Sequence, residues 1–144
     1  MPSTTAIETS RINADLFQER VTFEKSIGIV LLDIGINSAI TEITITQALL
    51  NFHGSAHGGL IFSLADSAFA YACNSKENIT MGIGCSIEYL KPAFIGDKLS
   101  ASAKIYIENG RHGIYHVQVK NQNDDEVAVF TGKSLSTNTP ILGA

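Results

Sequence analysis

The longest apolar stretch of the chain, from Leu60 to Cys73, predicts a buried helix. Its polar side chains are few, so a helix formed here is apolar on nearly every side. A helix of that kind belongs in the interior of a protein. The polar side chains within it are Ser63, Asp66, Ser67 and Tyr71. A single carboxylate, Asp66, therefore lies in the middle of a segment that otherwise suits the core.

The rest of the chain shows the two-residue alternation of β-strands. Two apolar, β-branched segments before the helix, Ile27–Ile34 and Ile40–Thr46, are separated by turn residues and predict a hairpin. Four further strands are predicted after the helix, with a hairpin turn at Asn109-Gly110. They lie near Thr80–Leu90, Lys98–Glu108, Gly113–Asn121 and Glu126–Ser136.

The two ends of the chain have a different character. Apolar residues at roughly helical spacing predict an amphipathic surface helix over Arg11–Lys25. Residues 1–10 are polar and are predicted to be a flexible N-terminus, and residues 138–144 a C-terminal tail. The length of 144 residues fits a single domain, which we place at residues 11–137.

The order of these elements predicts an α+β fold. Strands and helices do not alternate as a parallel sheet requires, so we expect an antiparallel β-sheet wrapped around the central helix. One sheet offers one concave face, whereas this helix is apolar nearly all round. Its other flank needs a second cover, and self-association is the simplest source of one.

Composition excludes several classes of partner. The net charge is −4 and the sequence contains no cluster of Lys and Arg, which argues against a nucleic-acid surface. The first ten residues lack the features of a secretory signal, and the apolar stretch is too short for a membrane span. Cys73 and Cys85 are interpreted as small core residues in a reducing compartment. A soluble cytoplasmic protein is expected, with no disulfide or zinc framework.

The start of the central helix has the chemistry of an anion site. Gly58 and Gly59 follow His57 and offer the first free N–H groups of the helix, where the partial positive charge stabilises an oxyanion. Asp66 could supply the base, but it lies about 12 Å further along the helix axis. Two antiparallel helices in a dimer would bring Asp66 of one chain near the helix start of the other.

Each of these residues also has a purely structural interpretation. Asp66 could be the N-cap of a shorter helix that begins at Ser67. Gly58-Gly59 could be only a tight turn, and His57 a hydrogen-bonding or packing residue. Two histidine pairs, His53/His57 and His112/His116, have the spacing of zinc ligands on a helix, but neither pair is predicted to lie on one helical face. No metal site is expected.

Longer motifs identify a family. The pattern N-x-H-G-x-x-H-G-G from Asn51, followed by L-A-D-S-A-F-A-x-A-x-N from Leu64, closely resembles the PaaI group of hotdog-fold acyl-CoA thioesterases, which are associated with phenylacetate breakdown. The segments YLKPAFIGD and VAVFTGKS extend the resemblance from about Phe23 to Ser136. It implies a hotdog fold, a homodimer that shares a continuous sheet, and usually a homotetramer.

The resemblance also implies roles for individual residues. Asp66 corresponds to the catalytic carboxylate, acting as nucleophile or as the base that activates water, and Gly58 to the glycine whose N–H polarises the carbonyl. The other implied site residues are Asn51, which helps to position water, His57 beside the oxyanion glycine, and the substrate contacts Gly59 and Ser67. Without the resemblance, Asn51 could simply cap its own loop through its amide.

The implied function is hydrolysis of small or aromatic acyl-CoA thioesters, such as phenylacetyl-CoA or hydroxyphenylacetyl-CoA, to free acid and CoA. No metal or redox cofactor is implied, because CoA is part of the substrate. Lys91, Lys98 and Arg111 are candidates to meet the CoA phosphates, although surface charge is the simpler explanation for each. The alternatives are a hotdog dehydratase or hydratase that uses His57 with Asp66, and a non-catalytic acyl-CoA sensor.

Overall fold

A computed structural model describes residues 3–142 of the chain and contains three helices and six strands in that range. None of the helices between residues 3 and 142 combines the length and the apolar character needed to span a membrane. The helices are α1 (Thr4–Arg20), α2 (Phe23–Ile27) and α3 (Gly58–Cys73), with a short 3-10 helix at Gln47–Leu49. The strands are β1 (Val30–Gly35), β2 (Ser38–Thr44), β3 (Asn78–Tyr89), β4 (Lys98–Asn109), β5 (His112–Lys120) and β6 (Glu126–Pro140).

The six strands form one antiparallel sheet in the order β1-β2-β4-β5-β6-β3, and α3 packs across β2, β4 and β5. This confirms the predicted antiparallel sheet around a central helix. The core lies between the two, where the side chains of α3 meet the inward residues of the strands. Phe69 shows how close the packing is, because a Cβ atom added at Gly132 would lie 2.8 Å from its ring.

The C-terminal end of α3 is fixed by one buried amide. The Nδ2 of Asn74 donates to the carbonyl oxygens of Ala70 (3.0 Å) and Thr80 (2.9 Å), and its Oδ1 accepts from the N–H of Thr80 (2.8 Å). Asn74 thereby satisfies backbone groups at the helix end and joins them to β3. The bonds of Asn74 hold α3 in place at its C-terminal end, and contacts at its first turn hold the other end. Together they fix the positions of the catalytic candidates along the helix.

The N-terminal segment differs from the prediction. Thr4 to Ser10 are helical rather than irregular, because Ser3 caps α1 by accepting a hydrogen bond from the N–H of Ala6, and Asn13 ties the helix to the body. The Nδ2 of Asn13 donates to the carbonyl of Asn74 at 3.1 Å. The predicted single helix over Arg11–Lys25 is wrong, since the backbone is extended at Val21 and α2 follows separately. Residues 1 and 2 lie outside the described range.

Strand boundaries also differ where the backbone turns. Ile27 to Ile29 were predicted to be strand, but Gly28, with φ of +91°, ends α2 and delays β1 to Val30. The hairpin loop between β4 and β5 is Gly110-Arg111, because Asn109 already pairs with His112. At the C-terminus β6 continues to Pro140, into the predicted tail, and residues 143 and 144 lie outside the described range.

β3 is an edge strand. It pairs with β6 on one side only, and its other backbone edge faces away from the sheet. Most of its side chains are exposed, including the apolar Met81 and Ile83. Cys85 is exposed on this strand, so its prediction as a core residue is wrong, whereas Cys73 is buried as predicted. A long edge with apolar residues favours association with another strand.

Candidate active site

His57 organises the first turn of α3. It is the N-cap residue, and its Nδ1 accepts a hydrogen bond from the N–H of Gly59 at 2.9 Å, while its carbonyl accepts from Leu60 at 2.9 Å. The expectation of a free N–H at Gly59 is therefore wrong. Within residues 3–142 no acceptor is hydrogen-bonded to the N–H of Gly58. One donor remains open at the positive end of the helix, and it belongs to the predicted oxyanion residue.

The loop before this turn is built around Asn51. Its Oδ1 accepts from the N–H groups of His53 (2.9 Å) and Ser55 (3.1 Å), and its own N–H donates to the carbonyl of Ser55 at 2.7 Å. The N–H of His57 then donates to the carbonyl of Leu49. The amide of Asn51 thus caps its own loop, as the structural interpretation expected, and this loop delivers Gly58 to its position.

Tyr89, the last residue of β3, holds the same turn from outside. Its Oη donates to the carbonyl oxygen of Gly58 at 2.9 Å. A Cβ atom added at Gly58 would lie 3.3 Å from Cζ of this ring, so glycine permits the close approach. Tyr89 was not predicted to be a site residue. It is the first residue of the YLKPAFIGD segment, which is part of the family resemblance, and that segment is the sequence signal that could have identified it.

Asp66 lies in the middle of α3 with its carboxylate at the surface. The helix is continuous from Gly58 to Cys73, so the alternative in which Asp66 caps a shorter helix is wrong. The side chain is exposed on the single chain, yet the surrounding protein removes enough water to raise the pKa of this carboxyl above its ordinary value. A carboxylate with a raised pKa is a stronger base than a free one.

The charge of Asp66 raises the pKa of both cysteine thiols. Burial raises the pKa of the Cys73 thiol to about 12, and the negative charge of Asp66 adds to that effect. On β3, partial desolvation and then Asp66 raise the pKa of the Cys85 thiol. The charge of Asp66 therefore acts on the exposed edge strand as well as within the helix.

The candidate residues fall into two groups along α3. Asn51, His57, Gly58 and Gly59 meet at its first turn. Asp66 lies eight residues after Gly58, a rise of about 12 Å along the helix axis. A carbonyl held by the N–H of Gly58 is thus beyond the reach of Asp66 in the same chain.

Ser67 is buried beside Asp66, and its hydroxyl is already engaged. Its Oγ donates to Oε1 of Glu24 on α2 at 2.8 Å. These two residues are 43 positions apart in the chain, and no sequence pattern connects them. A second carboxylate, that of Glu24, therefore contacts α3 at the residue that follows Asp66.

Comparison with known proteins decides the family. The family model of the thioesterase superfamily matches residues 53–128, which include the first turn of α3 and Asp66. This chain belongs to the thioesterase superfamily. It is a thioester hydrolase with the hotdog fold, as the resemblance implied. In sequence it is 39% identical to the acyl-coenzyme A thioesterase PaaI of Escherichia coli strain K12 over 91% of this chain and 94% of that protein.

Solved structures agree with this assignment. The Escherichia coli PaaI protein from the phenylacetic acid degradation operon superimposes on the enzyme with a TM-score of 0.90 at 36% identity, covering 94% of this chain and 98% of the other. A mutant of the phenylacetic acid degradation protein PaaI from Thermus thermophilus gives 0.78 at 30% identity, covering 81% and 100%. The smu.793 protein of Streptococcus mutans, bound to acetyl CoA, gives 0.74 at 27% identity, covering 78% and 90%.

Three other candidate residues, His116, Lys91 and Lys98, interact with side chains elsewhere in the enzyme. Within residues 3–142 no three or more His, Cys, Asp or Glu side chains gather in a metal-binding arrangement. The ring of His116 stacks on Tyr106 with centroids 4.4 Å apart. Among the candidate phosphate contacts, Lys91 is paired with Asp125 and Lys98 with Glu42, as expected of surface charges.

Proposed function

We propose that this thioester hydrolase acts on acyl-CoA thioesters with small or aromatic acyl groups, such as phenylacetyl-CoA or hydroxyphenylacetyl-CoA, and releases the free acid and CoA in the cytoplasm. The similarity to PaaI over nearly the whole chain supports this substrate class, as does the acetyl CoA bound to the Streptococcus mutans relative. CoA enters as part of the substrate, and the reaction uses no metal or redox cofactor.

The observation that carries the proposal is the open N–H of Gly58 at the start of a helix that also bears an exposed carboxylate, Asp66. The Gly58 N–H stabilises the oxyanion that forms when the thioester carbonyl is attacked. Asp66 either takes a proton from the attacking water or attacks the carbonyl itself. In both routes the C–S bond breaks, and the CoA thiolate leaves and takes up a proton. When Asp66 itself attacks, the resulting acyl-Asp66 anhydride is then cleaved by water, which releases the free acid and restores the carboxylate.

The site is assembled from two chains. Because Gly58 and Asp66 are about 12 Å apart along one helix, each needs its counterpart from a second helix. The open edge of β3 offers the means, since pairing with the same edge of another chain continues the sheet and places two α3 helices side by side. Antiparallel helices then bring Asp66 of one protomer near Gly58 of its partner. Such a homodimer has two sites, and two dimers form a homotetramer.

The neighbouring residues support this chemistry. His57 holds the first turn by its cap, and Gly59 leaves room for the His57 ring, since a Cβ atom there would lie 3.0 Å from Nδ1. Gly59 thereby belongs to the substrate-binding turn through its backbone. Asn51 fixes the loop, and since one side-chain N–H donates to Oγ of Ser55 at 3.1 Å, the second N–H of its amide is the one that binds water. Ser67 follows Asp66 in the chain and is proposed to lie near the acyl group.

The alternatives find less support. A dehydratase needs a histidine that transfers a proton at the reacting carbon, whereas Nδ1 of His57 is committed to the N–H of Gly59 as the cap of α3. A sensor needs acyl-CoA binding without turnover. The experiment that tests the thioesterase function also distinguishes these two alternatives.

The test is CoA release from a panel of acyl-CoA thioesters by the native protein, Asp66→Asn and the matched control Asp15→Asn, whose carboxylate is exposed on α1. We expect Asp66→Asn to lower turnover by about 10²- to 10⁴-fold in an intact oligomer, because Asn keeps the shape and removes the base. Asp15→Asn should retain native turnover. An enoyl product from a β-hydroxyacyl-CoA would favour the dehydratase, and tight binding without release would favour the sensor.

A further inference from the structure

The side of α3 that carries Asp66 is turned towards β6 and β3. Phe62 lies four residues before Asp66 and Phe69 three residues after it, so the three side chains leave the helix on one side. Both rings pack against Phe130 of β6, with centroids 5.5 Å and 5.9 Å away. Beyond β6 the sheet contains one more strand, the edge strand β3. The exposed carboxylate of Asp66 therefore lies on the side of α3 that faces these two strands.

Two side chains of β3 point back towards α3 in the same region. In the register between β3 and β6, Cys85 is opposite Gly132, and two residues further on Ile87 is opposite Phe130. Directly paired residues of antiparallel strands project from the same face of the sheet. Phe130 packs against α3, and a Cβ atom at Gly132 would lie 2.8 Å from the Phe69 ring, so this is the face that α3 covers. Ile87 is half-buried on that face, whereas Cys85 is exposed there.

Cys85 is level with Asp66 along α3. The hydrogen bond from Tyr89 to the carbonyl of Gly58 joins the end of β3 to the start of α3. Strand and helix extend from there in the same direction, because Cys85 is opposite the residue of β6 that touches Phe69. Asp66 lies about 12 Å from this junction along the helix, and Cys85 lies four residues back along the strand, about 13 Å. The charge of Asp66, after partial desolvation, raises the pKa of the Cys85 thiol, which agrees with this placement.

The facing sides of α3 and β3 border one groove, the α3–β3 groove, which is lined by Phe62, Asp66, Cys85 and Ile87. Apart from the carboxylate, its side chains offer no strong hydrogen-bonding group. The pantetheine arm of CoA carries two amides, and their burial against such a surface would leave them unpaired at a cost. An apolar acyl group gains by leaving water here, and an aromatic one packs edge to face on Phe62. The groove therefore suits the acyl part of the thioester.

We propose that the acyl group lies in the α3–β3 groove of the chain that supplies Asp66, and that Cys85 forms the opposite wall, which limits the size of the acyl group. This inference rests on the proposed thioesterase function, to which it adds the place of the acyl group and a residue that determines specificity. Cys85 acts through its volume. A small side chain leaves room for an aromatic ring beside Asp66, and a larger one fills that room.

The first test compares kcat/KM for phenylacetyl-CoA with kcat/KM for acetyl-CoA, because this ratio does not depend on the amount of active enzyme. In Cys85→Leu the larger side chain narrows the groove, and we expect the ratio to fall at least about tenfold. Cys85→Ser, which is similar in size, should keep the ratio within about twofold of native. Ser86→Leu is the matched control, since Ser86 is opposite the exposed Thr131 and projects from the other face of β3. It should leave the ratio unchanged.

A second measurement follows the alkylation of Cys85 by iodoacetamide in Asp66→Asn, which is expected to bind the thioester and hydrolyse it slowly. Saturating phenylacetyl-CoA should slow the alkylation at least about tenfold, because the acyl group covers the thiol. Desulfo-CoA, which has neither thiol nor acyl group, should slow it less than about twofold. The same protein with Cys85→Ser retains only the buried Cys73 and gives the background rate.

Three results would overturn the inference: a native ratio in Cys85→Leu, equal protection of Cys85 by desulfo-CoA and phenylacetyl-CoA, or a Cys85 that iodoacetamide does not reach in the free enzyme. Light scattering shows whether the oligomer of each variant is intact. The proposed function fails separately, by the absence of CoA release from the native enzyme or by full release in Asp66→Asn. Loss of release in Asp66→Asn with a native ratio in Cys85→Leu would refute only the role of the α3–β3 groove.

Discussion

The hydroxyl of Tyr89 donates to the carbonyl oxygen of Gly58 at 2.9 Å and thereby joins the last residue of β3 to the first residue of α3. The oxyanion donor of the proposed site is thus held from the sheet as well as from its own loop. Since β3 is also the edge through which two chains are proposed to pair, the position of the Gly58 N–H depends on the same strand as the dimer.

Removal of this hydroxyl should weaken the oxyanion site without destroying it. In Tyr89→Phe the ring still covers Gly58, but one hydrogen bond with a net value of about 0.5–1.5 kcal/mol is lost. We expect kcat/KM for acyl-CoA to fall by about two- to tenfold. Tyr106→Phe is the control, because that ring is exposed on β4 and stacks on His116. Equal activity of Tyr89→Phe and the native enzyme would show that the contact does not hold the donor in place.

The raised pKa of Asp66 predicts the acid limb of the pH profile. The carboxylate must be ionised to act as base or nucleophile, so activity is lost as the pH falls through its pKa. Burial raises this pKa above the ordinary value near 3.9. The midpoint of the acid limb of kcat/KM should therefore lie above that of an ordinary aspartate. A midpoint at or below the ordinary value would contradict the desolvated environment.

The same shift predicts how Asp66→Asn changes stability. A folded-state pKa above the unfolded value means that protonation favours the folded state. This stabilisation is complete below the unfolded pKa and is lost as the pH rises through the folded pKa. At neutral pH the ionised Asp66 therefore opposes folding, and Asp66→Asn should be more stable than the native protein. Chemical unfolding at neutral and at acid pH measures this, and the difference should shrink towards acid pH. If Asp66→Asn were less stable than the native protein at neutral pH, the result would contradict the raised pKa of Asp66.

Gly132 tests the packing of the sheet on α3. An added Cβ atom would lie 2.8 Å from two carbons of the Phe69 ring, which is itself buried between α3 and the sheet. Gly132→Ala should lower the free energy of unfolding by about 1–3 kcal/mol through overpacking. Thr131→Ala, at the exposed position next to it, should change this free energy by less than about 0.5 kcal/mol. Similar unfolding curves for the two variants would refute the close contact.

The fold was largely predictable because its signals are local. The apolar run from Leu60 to Cys73 located α3 to within two residues of its start and at its observed end, and alternation located five of the six strands to within two residues at their starts. The misplaced boundaries depend on single backbone features. Gly28 ends α2 in a left-handed conformation, and Ser3 caps α1, which the polar composition of the first ten residues concealed.

The site was only partly predictable because its remaining contacts are long-range. The motif selected Gly58 and Asp66, and helix geometry alone separated them along the axis. The cap by His57 is a local contact, but it engages the N–H of Gly59, which the sequence pattern had suggested was free. Tyr89 and Glu24 reach α3 from distant parts of the chain, and no periodicity in the sequence connects them to it.

The central claim is that Gly58 and Asp66 act across two chains, and complementation between variants tests it. Gly58→Pro removes the N–H, and proline suits the first position of a helix. The extended backbone of His57, with φ of −61° and ψ of 133°, also suits the residue before a proline. Gly58→Ala is the matched control, since it adds a side chain and keeps the donor.

The measurement is CoA release by differently tagged Gly58→Pro and Asp66→Asn chains that are co-expressed and purified through both tags, beside each variant alone. In a mixed dimer with shared sites, one site carries both substitutions and the other is intact. We predict about half of the native turnover per mixed dimer, although each variant alone is nearly inactive. No recovery in mixed dimers that retain native stability would contradict the account and place both residues of each site in one chain.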